Sequence, residues 1–342
     1  MVLEGDTSMV WAVAFHPDGK HFFDGTTNGI RRWRVIDGQE LGKQTGMNLY
    51  AISVSRDHKW VACGTTKGAS VWDAELHEKV VEVEDGICVY AVDVAPDCTR
   101  FATGTDYRKV TIWSIMGEKL LGPLEHGNDV VGVKFSLDGG RLATACYSDS
   151  TIRIFDAHNG DHLISMENPE SGDSFLTIGW STHGQRLFAA STDHKIKLFD
   201  SSTGSLLAEW QIHENDNGPM SIALPTNGKF IASSAGRVVS FWDTSTHTQL
   251  GIVEETHNIH SIALSPDGCR LAAGSRKSGS SIIWNLRGIL PDSYLPGNVS
   301  TLFPKSMMTF IHESLFLYMC KSLVPDCKCR IILRPEQRID SN

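Results

Sequence analysis

The chain of 342 residues contains no apolar run approaching the roughly 18 residues that a membrane-crossing helix requires, so no membrane span is expected. Its opening residues, Met1-Val2-Leu3-Glu4-Gly5-Asp6, carry neither a basic region nor a long apolar stretch, and no secretory signal is expected. Positive charge is not in excess. The 31 basic side chains against 40 acidic ones leave −9, which argues against general binding to nucleic-acid phosphate. Regularly paired cysteines are missing too. Cys63, Cys88, Cys98, Cys146 and Cys269 stand singly, as small apolar residues do in a reducing compartment, so the cytoplasm or nucleus is the expected location. Signatures of catalysis are absent. There is no Gly-x4-Gly-Lys-Ser/Thr phosphate loop, no Gly-x-Ser-x-Gly, no His-Glu-x-x-His and no EF-hand pattern. No nucleophile stands with its base. Cys320, Cys327 and Cys329 near His312 miss the spacing of paired zinc knuckles, and His257 and His260 fall where a loop leads into a strand. Neither enzyme, cofactor nor metal is expected.

What the chain has is a repeat. An aromatic residue closes a strand-like segment at Trp33, Trp72, Trp113, Phe155, Phe199, Trp242 and Trp284, at spacings of 39, 41, 42, 44, 43 and 42 residues. A turn signal precedes each of them: Pro17-Asp18-Gly19, Arg56-Asp57-His58, Pro96-Asp97-Cys98, Leu137-Asp138-Gly139, Thr182-His183-Gly184, Thr226-Asn227-Gly228 and Pro266-Asp267-Gly268. Proline presets φ, and Asp-Gly and Asn-Gly tolerate positive φ, so these are tight turns. Alternating runs flank them, such as Val131, Val133, Phe135 before and Arg141–Ala145 after. Short runs of period two with turns between them are the antiparallel β signal.

Seven such units resemble the WD40 family, whose repeats of about 40 to 45 residues fold as four-stranded propeller blades. The resemblance implies an all-β, seven-bladed propeller over residues 1–287. Its blades are expected at about 5–45, 46–85, 86–126, 127–171, 172–212, 213–256 and 257–287. The edge of the last sheet must be hidden, and a short outer strand from residues 1–5 beside Ser281-Ile282-Ile283-Trp284 is expected to hide it. Closure by the segment after Trp284, or a chain truncated at its start, is the alternative. The family's buried network of His, Ser/Thr, Asp and Trp is incomplete in every blade. Blade 4 comes nearest, with His126, Thr144 and Asp149 but Phe155 in place of Trp. Apolar packing and ring closure are therefore expected to carry more of the stability.

The resemblance also implies a protein-interaction scaffold that binds peptides or proteins on one propeller face, a single propeller working within a complex. Counting back along the repeats puts Met9, Asn48, Asp129 and Asn258 at the starts of innermost strands, with Tyr107 and Arg237 in the turns that share their face. Asp129, Asp173 and Asp216 fall on consecutive blades, with Glu167, Glu170 and Glu214 in nearby connections. They are expected to form an acidic sector that favours a basic partner by electrostatic steering. Trp284-Asn285-Leu286-Arg287 is similar to the Trp-Asp-x-Arg of WD40 substrate receptors in cullin-RING ubiquitin ligases, which would make Arg287 an adaptor contact. A sensor part of a larger fungal-type signalling receptor is a further alternative. Residues 288–342 show no repeat and read as an irregular tail, part helical from Ser306 to Val324, or as an interaction helix.

Overall fold

The computed structural model describes residues 1–5, 8–76, 78–84, 87–147, 149–168, 173–212, 219–275 and 279–296. Its strands are short because polar turns interrupt the chain at regular intervals. In the turn at Leu137–Gly140, Asp138 accepts the Gly140 N–H at 3.0 Å, Ser136 Oγ accepts the Arg141 N–H at 2.9 Å, and Gly139 takes φ +71°. Ser55 with Asp57 and Ser265 with Asp267 repeat the arrangement in other blades. The shared Gly-Thr-Thr-x-Gly of blades 1 and 2 is a second turn device. Thr26 and Thr65 donate to the carbonyls of Gly29 and Gly68 and accept the N–H groups of Asn28 and Lys67. A Cβ at Gly29, where φ is +135°, would meet the Gln44 carbonyl oxygen at 1.8 Å.

Seven antiparallel sheets of four strands result. From innermost to outer strand, blade 1 is Val10–Phe15, His21–Thr26, Gly29–Arg34 and Glu40–Thr45. Blades 2 to 6 repeat this, with innermost strands Leu49–Val54, Val89–Val94, Val130–Phe135, Phe175–Trp180 and Pro219–Ala223. Blade 7 has only three consecutive strands, Ile259–Leu264, Arg270–Ser275 and Ser281–Asn285, and takes its fourth from Val2–Leu3, paired Val2 to Ile282 and Leu3 to Ser281. Each innermost strand lies against that of the next blade, and blade 7 lies against blade 1, so the sheets close a ring. The fold is the seven-bladed, all-β propeller. Among the described residues the only helix is the 3-10 turn Asp292–Tyr294, and no helix is long and apolar enough to cross a membrane.

The core is divided among the seams between blades, one apolar cluster to each of the seven. The repeating aromatics wedge into them: Trp33 against blade 7, Trp72 against blade 1, Trp113 against blade 2, Phe199 against blade 4, Trp242 against blade 5 and Trp284 against blade 6. Arginines also cross the seams. Arg141 of blade 4 stacks over Trp180 at 4.8 Å and donates to the Gly184 and Ser201 carbonyls of blade 5. Arg100 of blade 3 spans to Gly139 and Ala157 of blade 4 in the same way.

Beside the apolar packing and ring closure expected to carry the load, two polar devices stand in for the incomplete network. In blades 2, 3 and 6 the indole N–H donates to a neighbouring hydroxyl: Trp72 to Ser70 at 2.9 Å, Trp113 to Thr103 at 3.0 Å and Trp242 to Ser233 at 3.0 Å. Blades 1, 4 and 5 instead carry a cation in the third strand, paired with an acid: Arg31 with Asp24, Arg153 with Asp149 and Lys197 with Asp193. In blade 4, burial lowers the His126 pKa and keeps the ring neutral at pH 7. Its Nδ1 donates to the Leu124 carbonyl, and Nε2 accepts from Thr144 at 2.9 Å.

The Arg31–Asp24 pair sits at the closing seam. Both side chains are fully buried, and Arg31 donates to the two carboxylate oxygens of Asp24 at 2.7 and 2.8 Å. Arg31 also donates to the Gly279 carbonyl at 3.0 Å, and Ser281 donates to Asp24 at 2.7 Å, both from blade 7. Gly5 leaves the space: a Cβ there would lie 1.5 Å from Arg31 Nη1.

The compact unit extends to Pro296, nine residues past the boundary expected at 287. Leu290 and Leu295 are buried in the seam between blades 6 and 7, and the Tyr294 hydroxyl donates to Asp243. The expected helix at Ser306–Val324 and the Cys320, Cys327, Cys329 and His312 group lie outside the described residues.

Replacing Asp24 by Leu strands a buried guanidinium and is expected to cost about 3–5 kcal/mol in denaturant unfolding. The double variant Asp24→Leu/Arg31→Met is expected to recover most of that loss; a single variant as stable as the native chain would contradict the role given to the pair. Burial raises the Asp243 pKa, but hydrogen bonds from Ser245, Tyr294 and the Thr246 and Ser245 N–H groups hold it well below the usual carboxylate range. Stability from a depressed carboxyl is present above its unfolded pKa of about 3.9 and is lost as pH falls through the folded value. Tyr294→Phe should therefore lower the melting midpoint at pH 7, and the difference from the native chain should shrink on acidification below about pH 4.

Candidate functional site

One irregularity recurs in every blade. The pairing of the innermost strand with the second strand shifts register after its first residue, between Val10 and Ala12, Leu49 and Ala51, Val89 and Ala91, Val130 and Gly132, Phe175 and Thr177, Pro219 and Ser221, and Ile259 and Ser261. A bulge re-aims the residue it carries. The residues carried are Trp11, Tyr50, Tyr90, Val131, Leu176, Met220 and His260. All but Met220, whose side chain is outside the described set, line a central channel of about 560 Å³.

This lining is lopsided. Trp11 meets Tyr50 edge to face with centroids 5.5 Å apart, Tyr50 meets Tyr90 at 5.3 Å, and Trp11 meets His260 at 4.6 Å. These T-shaped contacts form an aromatic arc across blades 7, 1, 2 and 3, and T-shaped pairs hold their rings in defined orientations. Blades 4 and 5 contribute aliphatic Val131 and Leu176. Farther along the innermost strands, Asp93 ties three blades together: it accepts from Ser53 at 3.3 Å, pairs with Lys134 at 2.7 Å and accepts the Phe135 N–H at 3.0 Å.

The loops around the mouth are built alike. The carbonyl before the innermost strand accepts an N–H from the turn joining the second and third strands: Met9 from Thr27, Asn48 from Thr66, Cys88 from Asp106, Asp129 from Tyr147 and Ser174 from Thr192. Loop and turn thus share one rim in blades 1 to 5. Met9 is exposed there, while Asn48, Asp129 and Asn258 are half-buried. Tyr107 and Arg237 are exposed in the corresponding turns of blades 3 and 6. Asp173 hydrogen-bonds Thr192 at 3.2 Å and is half-buried. Asp216, Glu170 and Glu214 lie outside the described residues, and Glu167 is exposed at the end of the outer strand of blade 4. Asp106 of blade 3 joins Asp129 and Asp173 at the rim, and among the described residues none of the three is in an ion pair. Burial first, then the neighbouring Cys88, Asp106, Tyr50 and Asp129, raise the Tyr90 pKa. Burial and Asp106 likewise raise that of Cys88. Two rim carboxylates, Asp106 and Asp129, thus act on the arc at Tyr90.

Arg287 points elsewhere. Its guanidinium donates to the Pro296 carbonyl at 2.9 Å and to Cys269 Sγ at 3.6 Å, holding residues 288–296 in place. The sequence reading does not find the arc; it places His260 only where a loop leads into a strand. Reading the second position of each innermost strand down the repeats, as Trp, Tyr, Tyr, Val, Leu, Met, His, would have found it.

The family model described as WD domain, G-beta repeat matches residues 1–34, 118–156, 166–200 and 248–285. The chain is similar to eukaryotic translation initiation factor 3 subunit I of Scheffersomyces stipitis, 24% identical over 58% of this chain and 63% of that protein. It is similar to periodic tryptophan protein 2 of Arabidopsis thaliana, 26% identical over 71% of this chain and 28% of that protein. A third relative is the U3 small nucleolar RNA-associated protein 15 homolog of Xenopus tropicalis, 31% identical over 62% of this chain and 43% of that protein. The chain thus spans under two thirds of each of these relatives. Four segments match the repeat's family model and seven blades take its four-stranded form, so the chain belongs to the WD40-repeat family.

Proposed function

We propose that this protein is a non-catalytic scaffold that binds a protein partner over the channel mouth, and that the partner presents a basic segment there. The supporting observation is the aromatic arc Trp11, Tyr50, Tyr90 and His260, carried on bulges beside the carboxylates of Asp106, Asp129 and Asp173, none of them in an ion pair among the described residues. Aromatic faces and a negative rim suit a lysine or arginine side chain, which gains cation–π attraction at the rings and steering from the carboxylates. The same carboxylates and the net charge of −9 oppose nucleic-acid phosphate. Among the relatives, one is named as a subunit of a translation initiation factor and one as associated with a small nucleolar RNA. Those names fit a propeller working within a larger complex in the cytoplasm or nucleus.

Affinity capture from native extract, with mass spectrometry of the bound proteins, tests this reading. The native chain should retain partners that share lysine- or arginine-rich segments, and Asp129→Lys/Asp173→Lys should lose them. Binding of a captured partner should weaken about tenfold or more in Tyr50→Ala and in Tyr90→Ala, since buried aromatic contacts dominate such interfaces. Rising salt should slow association. Partners held equally by all the variants would place the interface elsewhere.

A further inference from the structure

At the opposite end of the innermost strands from the channel mouth, blade 1 departs from its sister blades. Where blades 2, 4 and 7 open the turn after the innermost strand with Ser55, Ser136 and Ser265, blade 1 has His16. Where blades 3, 4 and 7 begin the second strand with Arg100, Arg141 and Arg270, blade 1 has His21. Between them stands Asp18. The double replacement sets an imidazole against each oxygen of one carboxylate: His16 Nδ1 lies 3.0 Å from Asp18 Oδ1, and His21 Nδ1 lies 2.6 Å from Asp18 Oδ2. One donor atom from each of the three residues lies within 4.8 Å of the others.

The hydrogen bonds of His16 decide which nitrogen faces the carboxylate bare. Nε2 stands 3.2 Å from the carbonyl oxygen of His58 in blade 2. A carbonyl only accepts, so Nε2 carries the proton. In the neutral ring Nδ1 is then a lone pair aimed at a carboxylate oxygen, with only a long 3.4 Å contact from the Asp18 N–H to satisfy it. Two acceptors in that position need a positive species between them. This tautomer, its distal N–H held by a carbonyl, is the one metal-ligating histidines adopt. Asp18 is oriented as a ligand would be, since its Oδ1 accepts the N–H groups of Lys20 at 2.7 Å and His21 at 3.0 Å. His16 is buried, whereas the Asp18 and His21 side chains remain 23% exposed, which leaves a cation a way in.

We propose that His16, Asp18 and His21 form a binding site for a first-row divalent cation, of which zinc is the natural probe. Two imidazoles and one carboxylate are ligands that zinc accepts at about 2.0–2.2 Å, with water completing the coordination. Held there, the cation would clamp the turn of blade 1 next to His58 of blade 2, on the face away from the proposed partner.

The sister blades supply the test variants. His16→Ser and His21→Arg install residues that blades 4 and 7 already carry at these positions, so each should fold. Zinc binding to the full chain is measured by isothermal titration in a Cys320→Ser/Cys327→Ser/Cys329→Ser background, which keeps those thiols from competing. One equivalent should bind, and each of the two variants should weaken it about tenfold or more. Cobalt in place of zinc should show visible ligand-field bands without thiolate charge transfer. Absence of zinc binding would overturn the proposal. Unchanged binding in both variants, or thiolate bands with cobalt, would overturn it equally.

Discussion

Closure of the ring is the constraint on which the rest of the structure depends. Seven sheets share no single core; each is stable because its two faces are packed against neighbours, and a missing neighbour would expose two seams at once. The chain meets that requirement at one place, where Val2–Leu3 complete blade 7 and the Asp24–Arg31 pair of blade 1 reaches Gly279 and Ser281. A buried ion pair is costly to desolvate, and apolar replacements often match its stability. Its value here is directional: two hydrogen bonds cross the seam, Arg31 to the Gly279 carbonyl and Ser281 to Asp24, and they define how blade 1 meets blade 7.

Closure in turn defines the channel. The bulge at the start of every innermost strand turns one side chain per blade inward, and the identity of that residue is free to vary because the seams do not use it. Four aromatic residues on one arc and acids on the neighbouring rim make the mouth chemically asymmetric. An asymmetric mouth on a nearly symmetric scaffold orients whatever binds there. Because the mouth and the His16–Asp18–His21 cluster occupy opposite ends of the strands, the two can be altered independently.

Much of the fold was legible in the sequence, because turns are local. Asp138-Gly139 and Asp267-Gly268 announce positive φ in the residues themselves, and Trp33, Trp72 and Trp113 recur because each must fill an equivalent seam. The candidate site was less legible. A bulge changes register without changing the alternation of polar and apolar residues, so nothing in Val10-Trp11-Ala12 says that Trp11 faces the channel. Nothing local in the sequence pairs Arg31 with Asp24, Arg153 with Asp149 or Lys197 with Asp193, since each pair is joined by how the second and third strands fold back on one another. Residues 288–296 carry no repeat, so their packing through Leu290 and Leu295 could not be inferred from periodicity.

The most direct test of the central claim, that partners are read at the channel mouth, is hydrogen–deuterium exchange of the full chain with and without a captured partner. The account predicts added protection at Met9–Trp11, Asn48–Tyr50, Cys88–Tyr90 and Asp129, and in the turns around Thr27, Thr66 and Asp106. The outer strands Glu40–Thr45 and Lys119–Glu125 should be unchanged. Protection confined to those outer strands, or to the turns at Asp57 and Asp138 on the far face, would contradict it.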